Sequence, residues 1–88
     1  MADVIEDIKK LVKAGKAIVG SEETIKNLKL SKLSKVYLSA NCPEEVKANV
    51  HYYAELSGAE VVQLVIPNDE LGTICRKPFV ISVLSVPK

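Results

Sequence analysis

The chain has no tryptophan, one phenylalanine, one histidine and two cysteines among its 88 residues, and each scarcity excludes something. One histidine cannot supply a paired-imidazole zinc site, and Cys42 and Cys75 stand 33 positions apart without a CxxC spacing, so no metal is expected. His51 also lacks a nucleophile and an orienting acid spaced to act with it. We read it as a partly exposed helix residue beside Tyr52 and Tyr53, and the chain as a non-enzyme. The four glycines, Gly15, Gly20, Gly58 and Gly72, lack the GxxxxGKS/T or GxGxxG spacing of a phosphate-cradling loop, and no cofactor is expected.

Long apolar runs are missing as well. Polar or charged residues interrupt every stretch before the roughly 18 residues that a membrane span requires. Met1–Lys13 carries Asp3, Glu6 and Asp7 among its lysines and has no apolar segment with a small-residue cleavage site, which is not the pattern of a secretory signal. A cytoplasmic protein with two reduced, buried thiols is the expectation.

Net charge is also small, at +1, but it is unevenly spread. Residues 1–41 carry +3 and residues 42–88 carry −2. Lys26, Lys29, Lys32 and Lys35 follow one another with no intervening acid, either a local field able to meet phosphates or a solvated face.

What is present is a regular alternation of helix and strand patterns. Val4, Ile8, Leu11 and Val12 recur at three- and four-residue steps, predicting a helix over Asp3–Ala14 that Gly15 ends. A short apolar run, Lys16–Val19, precedes Gly20-Ser21, a turn and N-cap for a second helix with Ile25, Leu28 and Leu30 inward. A strand over Lys35–Ala40 leads to Asn41-Cys42-Pro43-Glu44-Glu45, a helix start, and Gly58 closes that helix. Glu60–Ile66 reads as a strand stopped by Pro67. Asn68 caps a short helix, Asp69–Cys75, and Phe79–Val86 reads as the last strand after the loop Arg76–Pro78. Strands that are mostly apolar rather than alternating belong inside a sheet covered on both faces. The expected fold is α/β, a three-layer α/β/α sandwich around a central four-stranded mixed sheet, with residues 1–88 forming one domain. The acidic pairs Glu22-Glu23, Glu44-Glu45 and Asp69-Glu70 fall in first turns, where the helix dipole favours them.

At Gly20-Ser21-Glu22-Glu23-Thr24-Ile25-Lys26, Asn41-Cys42-Pro43, His51-Tyr52-Tyr53-Ala54 and Glu70-Leu71-Gly72-Thr73, the sequence resembles the L30e family of large-subunit ribosomal proteins, within the L7Ae superfamily of kink-turn RNA-binding proteins. The order and spacing agree over about residues 3–86. The resemblance implies a protein that grips an RNA internal loop in which a short bulge is flanked by sheared G·A pairs. It assigns RNA contact to Gly20 and Ser21 at the helix opening, where unpaired backbone N–H groups suit a phosphate. Glu23 would accept from guanine N–H donors and Lys26 would reach backbone or base edges. Glu22 departs from the family's usual Asn or Lys and is read as helix-start stabilisation. Asn41 is either an RNA contact or the N-cap of the helix after it. In the loop Arg76-Lys77-Pro78-Phe79-Val80, Arg76 and Lys77 would track phosphates, with Val80 beside them. Phe79 would hold an extruded base, unless it packs in the core at the start of a strand.

By that resemblance the chain is a structural constituent of the large ribosomal subunit that stabilises a kink-turn in ribosomal RNA. It would be found on the cytoplasmic ribosome, with neighbouring ribosomal proteins as further partners, no membrane contact, and a monomeric free state. The short chain and lysine-rich second helix lean towards archaeal members, and many relatives carry a short extension past the last strand, whose contacts this sequence would not make. Two other readings are a sister kink-turn protein of guide-RNA, tRNA-processing or regulatory complexes, and a protein-interaction domain that uses the Tyr52-Tyr53 helix without binding RNA.

Overall fold

The computed structural model describes residues 2–88, so Met1 lies outside it. The first helix, α1, spans Ala2–Lys13 and buries Ile8 completely, with Val4, Ile5, Leu11 and Val12 half-buried around it. It ends where Gly15 N–H donates to the Val12 carbonyl and Lys16 N–H to that of Leu11, the paired bonds that satisfy a helix's last carbonyls. Next come β1 (Ile18–Val19), α2 (Ser21–Lys29), β2 (Leu33–Leu38), α3 (Glu44–Ser57), β3 (Glu60–Gln63), α4 (Asn68–Ile74) and β4 (Val83–Pro87).

The four strands form one sheet in the order β1-β4-β2-β3. β3 runs parallel to β2, with Val61 opposite Val36, while β4 is antiparallel to both β1 and β2. The carboxyl ends of β1, β2 and β3 therefore share one edge of the sheet with the start of β4. On one face Tyr37 and Leu84 pack with Ile8 of α1 and with Leu71 and Cys75 at α4. On the other Val36, Leu38 and Val83 pack with Leu28 of α2 and with Val50 and Ala54 of α3. Because both faces are covered, three consecutive β2 residues, Val36–Leu38, are all buried, which is why the strands read as apolar runs. The three-layer mixed sandwich is the expected architecture.

Several local expectations need correction. The last strand begins at Val83, not Phe79. Ile81 donates its N–H to the Asn68 carbonyl at 3.1 Å and Lys77 to that of Gly72 at 2.9 Å, so this β-prone stretch is tied to α4, and only its last residue, Ser82, accepts a bond at 2.9 Å from Ser39 just after β2. β3 ends at Gln63, opposite the last β2 residue. In α2 Leu28 and Ile25 face inward as expected and Thr24 is buried with them, whereas Leu30 is 55% exposed. The Thr24 hydroxyl donates to Ser85 Oγ at 3.0 Å, and Ser85 donates weakly to the Ile18 carbonyl at 3.4 Å, so a buried polar chain joins α2 to β4 and β1. Gly20 is the N-cap of α2 in place of Ser21, and Pro67 that of α4 in place of Asn68.

Candidate functional site

At the shared strand edge an open groove of about 610 Å³ separates the start of α2 from the loop before β4. It gathers Gly20, Ser21, Lys77, Phe79 and Val80, together with Ser82. Gly20 adopts φ 109° and ψ 149°, a conformation that side chains disfavour, and so turns the chain from β1 directly into α2. No side chain caps that helix. Its first-turn N–H groups and positive dipole end meet the groove at Ser21, an arrangement suited to an anion.

The opposite wall is the segment from Lys77 to Val80. Phe79 is 54% exposed and Val80 57%, so the ring lies at the surface and does not pack in the core. Two apolar side chains at a solvated edge need a reason. Lys77 supplies the only charged side chain on the groove's walls. A positive helix end, one lysine and an exposed flat ring can hold a group that joins a phosphate to an unstacked base.

Gly72 sets this wall in place. A Cβ there would collide with the Phe79 carbonyl and press on Val80 Cα at 3.4 Å, so the loop crosses α4 where a side chain would otherwise stand. A glycine inside a helix costs about 1 kcal/mol relative to alanine, and this cost was the sequence signal for close backbone approach. Ser82, which no motif singled out, lines the groove and takes a hydrogen bond from Asn68 Nδ2 at 3.4 Å.

Asn41 is neither in the groove nor the N-cap of α3, whose cap is Pro43. Its Oδ1 accepts from Asn68 N–H at 2.8 Å and its Nδ2 donates to Asn68 Oδ1 at 3.2 Å. Asn41 thus satisfies the first backbone donor of α4 from across the sheet edge. Through Asn68 and Ser82 it is linked to the groove without lining it.

Glu23 and Lys26 are exposed on α2 and do not line the groove. Lys26 flanks a different surface with Glu22, Ile25, Lys29 and Leu30. Nor do the four lysines form one field. Lys29 stands over the Tyr53 ring at 5.2 Å, and Lys35 pairs with Glu60 at 3.3 Å. That pairing, led by the hydrogen bond to Glu60, raises the Lys35 pKa. Arg76 faces α1 instead of the groove, alongside Lys9 and Lys13. The acidic pairs do lie in first turns, and His51 is exposed on α3. Cys42 and Cys75 are free and buried, and loss of hydration pushes both thiols up from their ordinary pKa. Among the described residues no three His, Cys, Asp or Glu side chains gather to hold a metal ion, and no helix is long and apolar enough to cross a membrane.

Residues 2–88 match the ribosomal protein L7Ae/L30e/S12e/Gadd45 family. The sequence is 42% identical over 84 residues to the large ribosomal subunit protein eL30 of Methanocaldococcus jannaschii, covering 96% of this chain and 76% of that one. It is 38% identical over 84 residues to the eL30 of Methanothermobacter thermautotrophicus, covering 96% and 86%. Among solved structures, the Giardia lamblia 15.5kD RNA binding protein superposes with a TM-score of 0.80 at 20% identity, over 99% of this chain and 72% of that one. A protein with unknown function from Bacillus halodurans C gives 0.86 at 17% identity, over 96% and 83%. At those identities the two structures speak for the fold alone.

Proposed function

The chain belongs to the ribosomal protein L7Ae/L30e/S12e/Gadd45 family, and on that premise we propose that it is a non-catalytic constituent of the large ribosomal subunit that binds and stabilises a kink-turn in ribosomal RNA. The observation that carries the reading is the groove in which Gly20 and Ser21 face Lys77, Phe79 and Val80. Residues 59 positions apart in the chain, Gly20 and Phe79, there present an anion-binding helix end and an exposed aromatic ring to one ligand.

In this mechanism the first-turn N–H groups of α2 bind a backbone phosphate, Lys77 neutralises another, and the bulged base stacks on Phe79 beside Val80. Glu23 and Lys26, on the outer side of α2, meet the guanine edge and the adjoining strand only when the RNA bends around the helix from the groove. Asn41 and Arg76 border this surface instead of forming it. No bond is made or broken. Free RNA exchanges between extended and kinked forms, and a protein that binds only the kinked form shifts that population by its differential affinity.

On this reading the protein works on the cytoplasmic ribosome, is monomeric when free and uses no cofactor. Neighbouring ribosomal proteins would meet another face, where Leu30, Tyr52 and Leu56 are 55%, 60% and 69% exposed. The test is an end-labelled kink-turn RNA in magnesium-poor buffer, followed by energy transfer between its arms. Added protein should bring the arms together, and Phe79→Ala should weaken the response. A kink-turn that stays extended at saturating protein overturns the proposal.

A further inference from the structure

On the other side of the Arg76-Lys77 dipeptide, α1 and α4 enclose a cleft of about 640 Å³ lined by Lys9, Val12, Lys13, Thr73, Ile74 and Arg76. Lys9, Lys13 and Arg76 are all exposed. Among the described residues no acidic side chain lines the cleft, and the one salt bridge is the distant Lys35–Glu60 pair.

The plainest account of these cations is that they offset helix dipoles, since Lys13 lies in the last turn of α1 and Arg76 just past α4. Each helix end carries about half a negative charge. Two ends therefore offset roughly one of the three cations, which leaves roughly two positive charges without a counterpart. Arg76 itself is costly. It adopts φ 57° and donates its N–H to the Thr73 carbonyl at 3.0 Å, the left-handed position after a helix that glycine fills most cheaply. At that position the side chain has no acid in the cleft to pair with, which suits it to an anionic ligand.

The cleft and the groove share no lining residue but are close along the chain. Lys13 and Arg76 line the first, and Ala17 and Lys77, four residues and one residue further along the chain, line the second. None of the large exposed apolar side chains, Leu30, Tyr52, Leu56, Val65, Phe79 or Val80, falls in the cleft. The cleft's apolar side chains, Val12 and Ile74, are half-buried against the core, and its exposed ones are Lys9, Lys13, Thr73 and Arg76, which suit a phosphate backbone better than a protein partner. We propose that the α1–α4 cleft is a second phosphate-backbone site, in which Lys9, Lys13 and Arg76 hold a stem of the same RNA that enters the groove. The inference rests on the RNA-binding reading and extends it.

The test compares two forms of the kink-turn RNA, one with long flanking stems and one trimmed close to the bulge, over a series of salt concentrations. The variant is Lys9→Gln, Lys13→Gln and Arg76→Gln together, with Lys9→Glu alone as a milder change that leaves both helix ends untouched. The triple variant should bind the long-stemmed RNA about tenfold or more weakly, with a log–log salt slope shallower by roughly two to three, about one per phosphate contact removed. Binding of the trimmed RNA should stay within about twofold of wild type, whereas Phe79→Ala should weaken both forms. If wild type binds both RNAs and Phe79→Ala weakens both, an unchanged slope in the triple variant and in Lys9→Glu overturns the cleft site and leaves the groove standing. Equal losses on both RNAs also overturn it, because they would mark a general charge effect. Failure of wild type to bind either RNA removes the groove reading and the cleft with it.

Discussion

The volume that a side chain would fill at Gly72 is occupied by the carbonyl of Phe79. The helix α4 and the loop before β4 therefore touch backbone to backbone, and the exposed Phe79 ring is aimed by a glycine seven positions earlier in the chain. Gly72→Ala should force the loop off the helix. Overpacking of this kind costs about 1–3 kcal/mol, so the melting temperature should fall and RNA binding should weaken with it. An alanine variant that matches wild type in both thermal unfolding and RNA titration would show that the loop can give way freely.

Phe79→Ala should separate binding from folding. The ring is 54% exposed and belongs to neither hydrophobic cluster, so its removal should change stability by no more than about 0.5 kcal/mol. Loss of base stacking is worth about 1–3 kcal/mol, or roughly 5- to 150-fold in RNA affinity. Parallel melting and binding curves check both halves.

Thr24→Val keeps the shape of the side chain and removes the buried donor to Ser85. Leaving the Ser85 oxygen short of a partner should cost about 1–3 kcal/mol. The double variant Thr24→Val with Ser85→Ala should recover much of that loss, because neither polar group then remains to be satisfied. Chemical denaturation of the two single variants and the pair tests the coupling directly.

Asn41→Ala should act on α4, not on α3. The Asn68 N–H loses its acceptor at 2.8 Å, and loss of such a cap typically costs about 1 kcal/mol. Amide exchange should quicken in residues 68–74 and stay unchanged at the start of α3. Faster exchange at Glu44–Lys47 instead would restore the reading of Asn41 as the α3 cap.

Burial raises the pKa of both Cys42 and Cys75. The unfolded chain loses these thiol protons first, near pH 8.5, so above that point the folded state binds more protons and stability falls as pH rises. Below it the contribution is constant. Denaturation between about pH 8 and 10 should show the decline, and Cys42→Ala with Cys75→Ala should flatten it.

The layers of the fold were readable because helix and strand periods are local, and because Gly15 and Gly58 mark the ends of α1 and α3. The stop after α4 was placed to within one residue, whereas the end of α2 was given no bound, and neither is marked by a glycine. Ser31 and Arg76 take left-handed conformations there, at φ 54° and 57°, without the glycine that usually announces one. Phe79–Ser82 misled for a different reason. Its β preference is real, but hydrogen bonds from Lys77 and Ile81 back to α4 outweigh it.

By itself the sequence determined the α/β layering and singled out the candidate surface positions, since both depend on residue types at short spacing. Only the tertiary structure decided which of those positions meet. It joined Gly20 to Phe79, turned Asn41 towards Asn68, and set Arg76 with Lys9 and Lys13 in a cleft apart from the groove that Lys77 lines. The physical reason is that side-chain neighbours across a sheet edge are fixed by strand order and loop packing, and no local pattern encodes either.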